Sequence, residues 1–249
     1  MRKFAPGIFV FFVLLSLSVL QSCVDDRDEF LARQNFVPDQ SFTEEFDTAL
    51  AAYNRGWRFL NRSVDIGPSN WSNPASPPPF GPYSSRSTSS GYLWADYNST
   101  SSGTGIISNW AVSPPMIMKD GDKIIFYTRT QLYAFGADST DFANRLQVRI
   151  NPLNQELNVG LGADAGDFTI IAYDINPNYK EFSYNAFVAN NADVRNAYPH
   201  RWTRFEITLS GLNKPTKGRF AFRYFVENAG NNGRGSSVGI DQVNYISAK

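Results

Sequence analysis

From Arg145 to Ile150 the side chains alternate without a break. Leu146, Val148 and Ile150 fall on one side, and Arg145, Gln147 and Arg149 on the other. A period of two marks an extended strand with one face buried. Comparable segments recur at Gly91–Tyr97, Ser108–Val112, Ile124–Thr130, Phe168–Tyr173, Thr203–Leu209, Arg219–Val226 and Gly239–Ile246, with Pro114-Pro115 and Asp120-Gly121 as punctuation. No long stretch repeats at 3.6 residues. The pattern predicts an all-β antiparallel sandwich rather than βαβ units, with at most a short N-terminal helix. A chain of 249 residues can hold this as one domain.

The N-terminus reads differently. Arg2 and Lys3 precede an apolar run that ends at Cys23, the chain's only cysteine. That is the layout of a signal peptide, so residues 1–22 are set aside from the fold. Leu20-Gln21-Ser22-Cys23 resembles a bacterial lipobox, which implies lipidation at Cys23 and removes the last thiol from disulfide or metal chemistry. Residues 23–41 read as an acidic tether and linker, and 42–249 as the sandwich domain. The cluster Asp25-Asp26-Arg27-Asp28-Glu29 resembles the export signal of Bacteroidetes surface lipoproteins, which implies an outer-membrane protein facing the cell exterior. The leader takes Arg2 and Lys3 from 23 basic residues but nothing from 23 acidic ones, a net charge of about −2. No basic excess suits nucleic acid. Membrane contact is expected through the lipid anchor only.

Residues 61–90 carry six prolines and many serines and predict a long surface loop. Ser41 and Glu44 have capping-box spacing, which allows a helical turn or two in EEFDTALAAY, and a first strand over Phe42–Phe46 competes with it.

Residues 105–130, 144–150, 166–179, 198–212 and 218–245, together with Phe46-Asp47 and Gly56-Trp57, resemble the choice-of-anchor J domain. That domain is related to the cleaved adhesin domain and to carbohydrate-binding jelly rolls. The resemblance implies a jelly-roll sandwich held at the cell surface by whichever anchor the host uses, here Cys23. It implies little about activity. The chain departs from the family pattern in the proline-rich loop 74–82 and in the insertion 180–197, where a private function could sit.

Catalysis is not expected. His200 stands alone before a strand, no GxSxG elbow occurs, and no pair of acids is singled out. By resemblance, Glu45, Asp47 and Asp241 are a candidate structural calcium site clamping the chain ends. The alternative is that Asp241 accepts backbone N–H groups or pairs with an arginine. Alternation places Tyr127 and Arg129, then Arg145 and Arg149, then Arg223, on outward faces. If those strands share a sheet, guanidinium groups beside rings form a glycan or peptide cleft; cross-strand pairing with Glu206 or Glu227 is the competing reading. Trp57, Trp110 and Trp202 are expected in the core. Trp71 and Trp94, with Tyr83 and Phe80, could form a sugar platform or partner contact, or a rim cluster covered by its own loop.

The resulting expectation is a non-catalytic surface lipoprotein that binds glycan or protein, as adhesin or capture module. The alternatives are an accessory subunit docked on an outer-membrane β-barrel complex and, less favoured, a jelly-roll glycan hydrolase.

Overall fold

Alternating side chains sort into an inner layer shared by two antiparallel sheets. The computed structural model describes residues 37–84 and 89–249, without the side chains of 192 and 193. The leader, Cys23, the acidic cluster 25–29 and loop residues 85–88 lie outside the described residues. The compact unit runs Asp39–Lys249. Its elements, in chain order, begin with β1 (Phe42–Glu44), α1 (Ala49–Asn54), β2 (Arg58–Asn61), β3 (Leu93–Asp96), β4 (Gly105–Val112), β5 (Met116–Met118), β6 (Lys123–Arg129), β7 (Tyr133–Phe135) and β8 (Asp138–Thr140). They continue with β9 (Leu146–Asn151), β10 (Ile170–Ile175), α2 (Tyr184–Val188), β11 (Thr203–Thr208), β12 (Thr216–Ala229) and β13 (Ser237–Ile246).

One sheet has the order β1-β13-β6-β11, with β3 also on β13; the other has the order β10-β9-β12-β4-β2, with β5 also on β12. Strands β7 and β8 form a separate hairpin. Strand and helix both form near residue 45: β1 comes first, and Thr48, not Ser41, caps α1 by accepting from the Ala51 amide. The second helix, α2, lies in the insertion and was not anticipated. The proline-rich segment is fastened by isolated pairings of Val64 with Ile106, Ile66 with Thr100 and Ser72 with Trp94.

Aromatic rings fill the space between the sheets. Trp57 lies 5.0 Å from Phe46 and 5.7 Å from Phe220, and Phe126 lies 4.9 Å from Phe222, in edge-on contacts that suit ring quadrupoles. The inner-face residues Leu146, Val148, Ile150, Phe220, Phe222 and Tyr224 are all buried. Trp71 is also a core residue, buried with them. It is therefore not an exposed platform, because the loop that carries it turns back into the sandwich.

A second, smaller apolar cluster lies on the outside of the β10-β9-β12-β4-β2 sheet, where Trp110, Val112 and Ala221 meet Val159 and Phe168 from the loop 152–169. That loop roofs the arginine face. Arg223 is completely buried beneath it. Its guanidinium donates to the carbonyls of Gly162 (2.5 Å) and Asp164 (3.0 Å) and to Ser108 Oγ (3.1 Å). It also sits over the rings of Phe225 at 4.0 Å and Trp110 at 4.7 Å. Burial, then the neighbouring Arg149 and Arg145, pull its pKa down to about 9. Arg149 donates to Phe168 O (3.0 Å) and Gln147 Oε1 (2.7 Å), and Arg145 grips Asp174 with two bonds of 2.9 and 2.6 Å.

The condition for one shared arginine face is met only in part: Arg145, Arg149 and Arg223 lie on the paired strands β9 and β12. Tyr127 and Arg129 lie on β6, in the opposite sheet from Arg145, Arg149 and Arg223. Alternation reports which side of a strand a residue occupies; it cannot report which sheet the strand joins or what covers it.

Truncating Arg223 strands several buried acceptors at once, each costing about 1–3 kcal/mol. The Arg223→Ala protein should lose about 2–4 kcal/mol of stability in urea unfolding; a loss below about 0.5 kcal/mol, the usual range for surface changes, would contradict the roofing role.

Candidate functional site

The proline-rich loop covers the outer face of the other sheet. Phe80 is buried, stacked on Tyr92 at 4.8 Å and edge-on to Trp202 at 5.5 Å, with the Arg129 guanidinium 4.3 Å above its ring. A Cβ on Gly239 would stand 2.9 Å from the Phe80 ring, so glycine is what allows the loop to lie flat on β13. Tyr83 stacks on Tyr127 at 3.6 Å. Trp94 is half-buried beside Ser72. Arg129 and Tyr127 thus hold down a loop, as Arg149 and Arg223 do on the opposite face.

Asp241 has the same task. Completely buried, its carboxylate accepts from the amides of Tyr83 (2.7 Å), Ser84 (3.0 Å) and Gln242 (2.7 Å) and from Ser84 Oγ (2.8 Å). Burial nonetheless raises its pKa. Glu45 and Asp47 are exposed. The acid that turns inward is Glu44, which binds Arg55 at 2.8 and 2.5 Å. Among the described residues no three Asp, Glu, His or Cys side chains are grouped to hold a metal, so the proposed calcium ligands do not converge.

Loops thus cover part of each broad face, and a cleft opens at the sandwich's edge. Among the described residues strand β10 pairs only with β9, and β11 only with β6, so each is the margin of its sheet. The β10–β9 register shifts between Ile171 and Tyr173, which turns Tyr173 to the side of Val148. Its ring meets Phe205 of β11 edge-on at 5.6 Å, bridging the two margins. Beyond β10, Asn176 closes a turn by donating to Lys180 O (2.8 Å) and accepting from Lys180 N (2.7 Å). The insertion then crosses the gap to β11 and leaves a cleft of about 600 Å³.

The insertion is clasped by the β8 hairpin. Asp138 accepts from Ser183 Oγ and from the Asn185 amide, and Thr140 bonds to Glu181. Asp141 accepts from the Phe182 amide (2.8 Å) and the Ala143 amide (3.1 Å) through Oδ1, while its buried Oδ2 has no hydrogen-bond partner among the described residues. At the far end, Tyr198 OH meets Thr128 Oγ1 at 2.5 Å, and the Thr130 amide donates to Pro199 O.

Rings form much of the cleft wall. Tyr173, Phe182, Phe187, Tyr198, His200 and Phe205 all line it. His200 lies against Phe182 with ring centroids 4.4 Å apart. Burial, then the cations of Arg201 and Arg129, lower its pKa and keep the imidazole neutral at pH 7. Asp174 is the one carboxylate among the described lining side chains, and Arg145 already binds it in bidentate fashion. Glycoside hydrolysis in its usual form needs two carboxyl groups flanking the bond; the wall presents rings, amides and guanidinium groups instead. His200 and the insertion stand out in the sequence, but no local pattern there brings them together with Tyr173.

No family model and no curated protein matches the sequence. Solved structures do. The K1 cleaved adhesin domain of Lys-gingipain from Porphyromonas gingivalis W83 is 17% identical, with 84% of this chain and 99% of that chain covered and a TM-score of 0.51. The K3 domain of the same protein is 15% identical, with 86% and 100% covered and a TM-score of 0.48. A family 11 carbohydrate-binding module of a Clostridium thermocellum cellulase is 10% identical, with 86% and 91% covered and a TM-score of 0.29. The first of these establishes an adhesin-like β-sandwich.

Burial pushes the Asp141 pKa up to about 7. A carboxyl group that titrates higher in the folded protein than in the unfolded chain favours folding fully at low pH, and that contribution is lost as pH rises through the folded value. Asp141→Asn keeps an acceptor oxygen for both amides and cannot ionise. From pH 5 to pH 8 its melting temperature should rise relative to wild type by about 2–4 °C for each kcal/mol of strain relieved; parallel pH profiles would refute the buried-carboxylate clasp.

Proposed function

We propose that this chain is a non-catalytic surface lipoprotein of the choice-of-anchor J kind, from a Bacteroidetes bacterium, carried on the outer membrane by Cys23. Its sandwich binds glycan in the edge cleft between β10, β11 and the insertion. The observation that carries the reading is the cleft itself, whose walls combine flat ring faces with amide and guanidinium donors. Sugars present apolar C–H faces and a rim of hydroxyls, and sites of this composition suit both. The cell-surface placement is supported by the leader and lipobox-like residues, and the binding role by a wall without paired free carboxylates.

A second reading, the accessory subunit docked on a β-barrel complex, is favoured by one observation. Helix α2 leaves Tyr184 and Val188 exposed at 54% and 66% on the outside of the insertion. Co-purification of the intact protein with a partner from native membranes in detergent, lost on Val188→Asp and retained on Tyr173→Ala, would favour docking.

The glycan reading is tested on an array with the intact protein. Tyr173→Ala and Phe187→Ala should each weaken binding at least about tenfold, or about 1.4 kcal/mol, while the protein stays folded. Binding that survives both substitutions would place the site elsewhere.

A further inference from the structure

Most cations near the cleft are already committed. Arg145 is held by Asp174, and Arg204, on β11 just beyond the wall, is held by Glu206 at 2.5 Å. Two arginines of the wall itself are different. Arg201 is exposed and has no acidic partner among the described residues. Arg195, at the end of the 3-10 turn Ala192–Asn196, bonds to the neutral side-chain oxygen of Asn190 and has no acidic partner among the described residues. The same wall holds the Phe187 and Tyr173 rings, both about half exposed, and the side chains of Asn176 and Asn196. Its one carboxylate, Asp174, is neutralised by Arg145 and also accepts from Gln147 Nε2 at 3.0 Å. His200 adds a ring rather than a negative charge. The whole chain carries as many acidic as basic residues. The excess of positive charge is therefore local to the cleft and does not follow from composition.

We infer that the cleft selects an acidic glycan, with the Arg201 and Arg195 guanidinium groups gripping a sugar carboxylate or sulfate while the rings take the sugar face. Among the described residues neither guanidinium has a counter-ion, and apart from the bond to Asn190 their donors are open to a planar or tetrahedral oxyanion, which satisfies them in pairs. A neutral sugar leaves both charges unanswered. The inference rests on the glycan reading above and narrows it to one chemical class.

The test uses the intact protein in detergent, with dextran, polygalacturonic acid and dextran sulfate as probes at low and moderate salt. At least one acidic polymer should bind ten or more times tighter than dextran. Binding to polygalacturonic acid alone assigns a carboxylate site, and binding to dextran sulfate alone a sulfate site. Arg201→Ala should weaken that binding at least tenfold, and Arg201→Lys should recover part of the loss through charge without the fork. Arg62→Ala, which removes an exposed cation outside the cleft wall, should change it less than twofold. If neutral glycans bind through Tyr173 and Phe187 while Arg201→Ala has no effect, the glycan reading stands and the acidic selection falls. If Arg62→Ala and Arg201→Ala weaken the acidic polymers equally, the attraction is unspecific and the inference falls. If no polysaccharide binds at all, both fall together.

Discussion

Two sheets that pack face to face without joining at one edge leave an open mouth, and the proposed binding site follows from how that mouth is handled. Unpaired strand margins expose backbone donors and acceptors and the rings behind them, a hazard that proteins cover or blunt. Among the described residues β10 and β11 have no strand on their outer sides, Tyr173 and Phe205 meet across the gap, and the insertion spans it. The span holds because the β8 hairpin supplies acceptors: Asp138 to the start of α2 and Asp141 to the Phe182 amide. Without that clasp the cleft loses one wall, and the aromatic margin is simply an exposed edge.

The two broad faces of the sandwich are treated alike and the edge is not. Arg223 and Arg149 on one face, and Arg129 and Asp241 on the other, each hold a loop flat by bonding to its backbone or stacking on its ring. Buried charges are costly unless satisfied, and each of these has carbonyls, amides or rings as partners. They are fasteners. What they leave open is the edge, where Arg201 and Arg195 have no acidic partner among the described residues.

Much of the fold was legible from the sequence because burial leaves a period of two. Leu146/Val148/Ile150 and Phe220/Phe222/Tyr224 read as core and are core. The missed elements were short or without period: β2, β5, the β7–β8 hairpin and α2. The site was less legible for three physical reasons. Alternation cannot tell a face open to water from one roofed by a distant loop, so Arg223 read as a ligand group although it is completely buried. Register at the N-terminus was off by one: Phe46 takes a positive φ of 51° just after β1, and Glu44 rather than Glu45 turns inward. And contacts of high sequence separation carry no local signal; Asp138 to Asn185 and Tyr173 to Phe205 are examples. Asp241 was legible in its plainer alternative, as an acceptor of backbone N–H groups. The one pointer to the cleft was the insertion 180–197, recognised as a departure without any sign of what it covers.

Amide chemical-shift mapping on the labelled protein, titrated with a glycan that binds, locates the site. The largest shifts should gather at residues 173–176, 182–188 and 195–205, with the loops 74–84 and 157–168 nearly silent. Shifts concentrated on either roofing loop, with the β10–β11 margin unmoved, would contradict that placement.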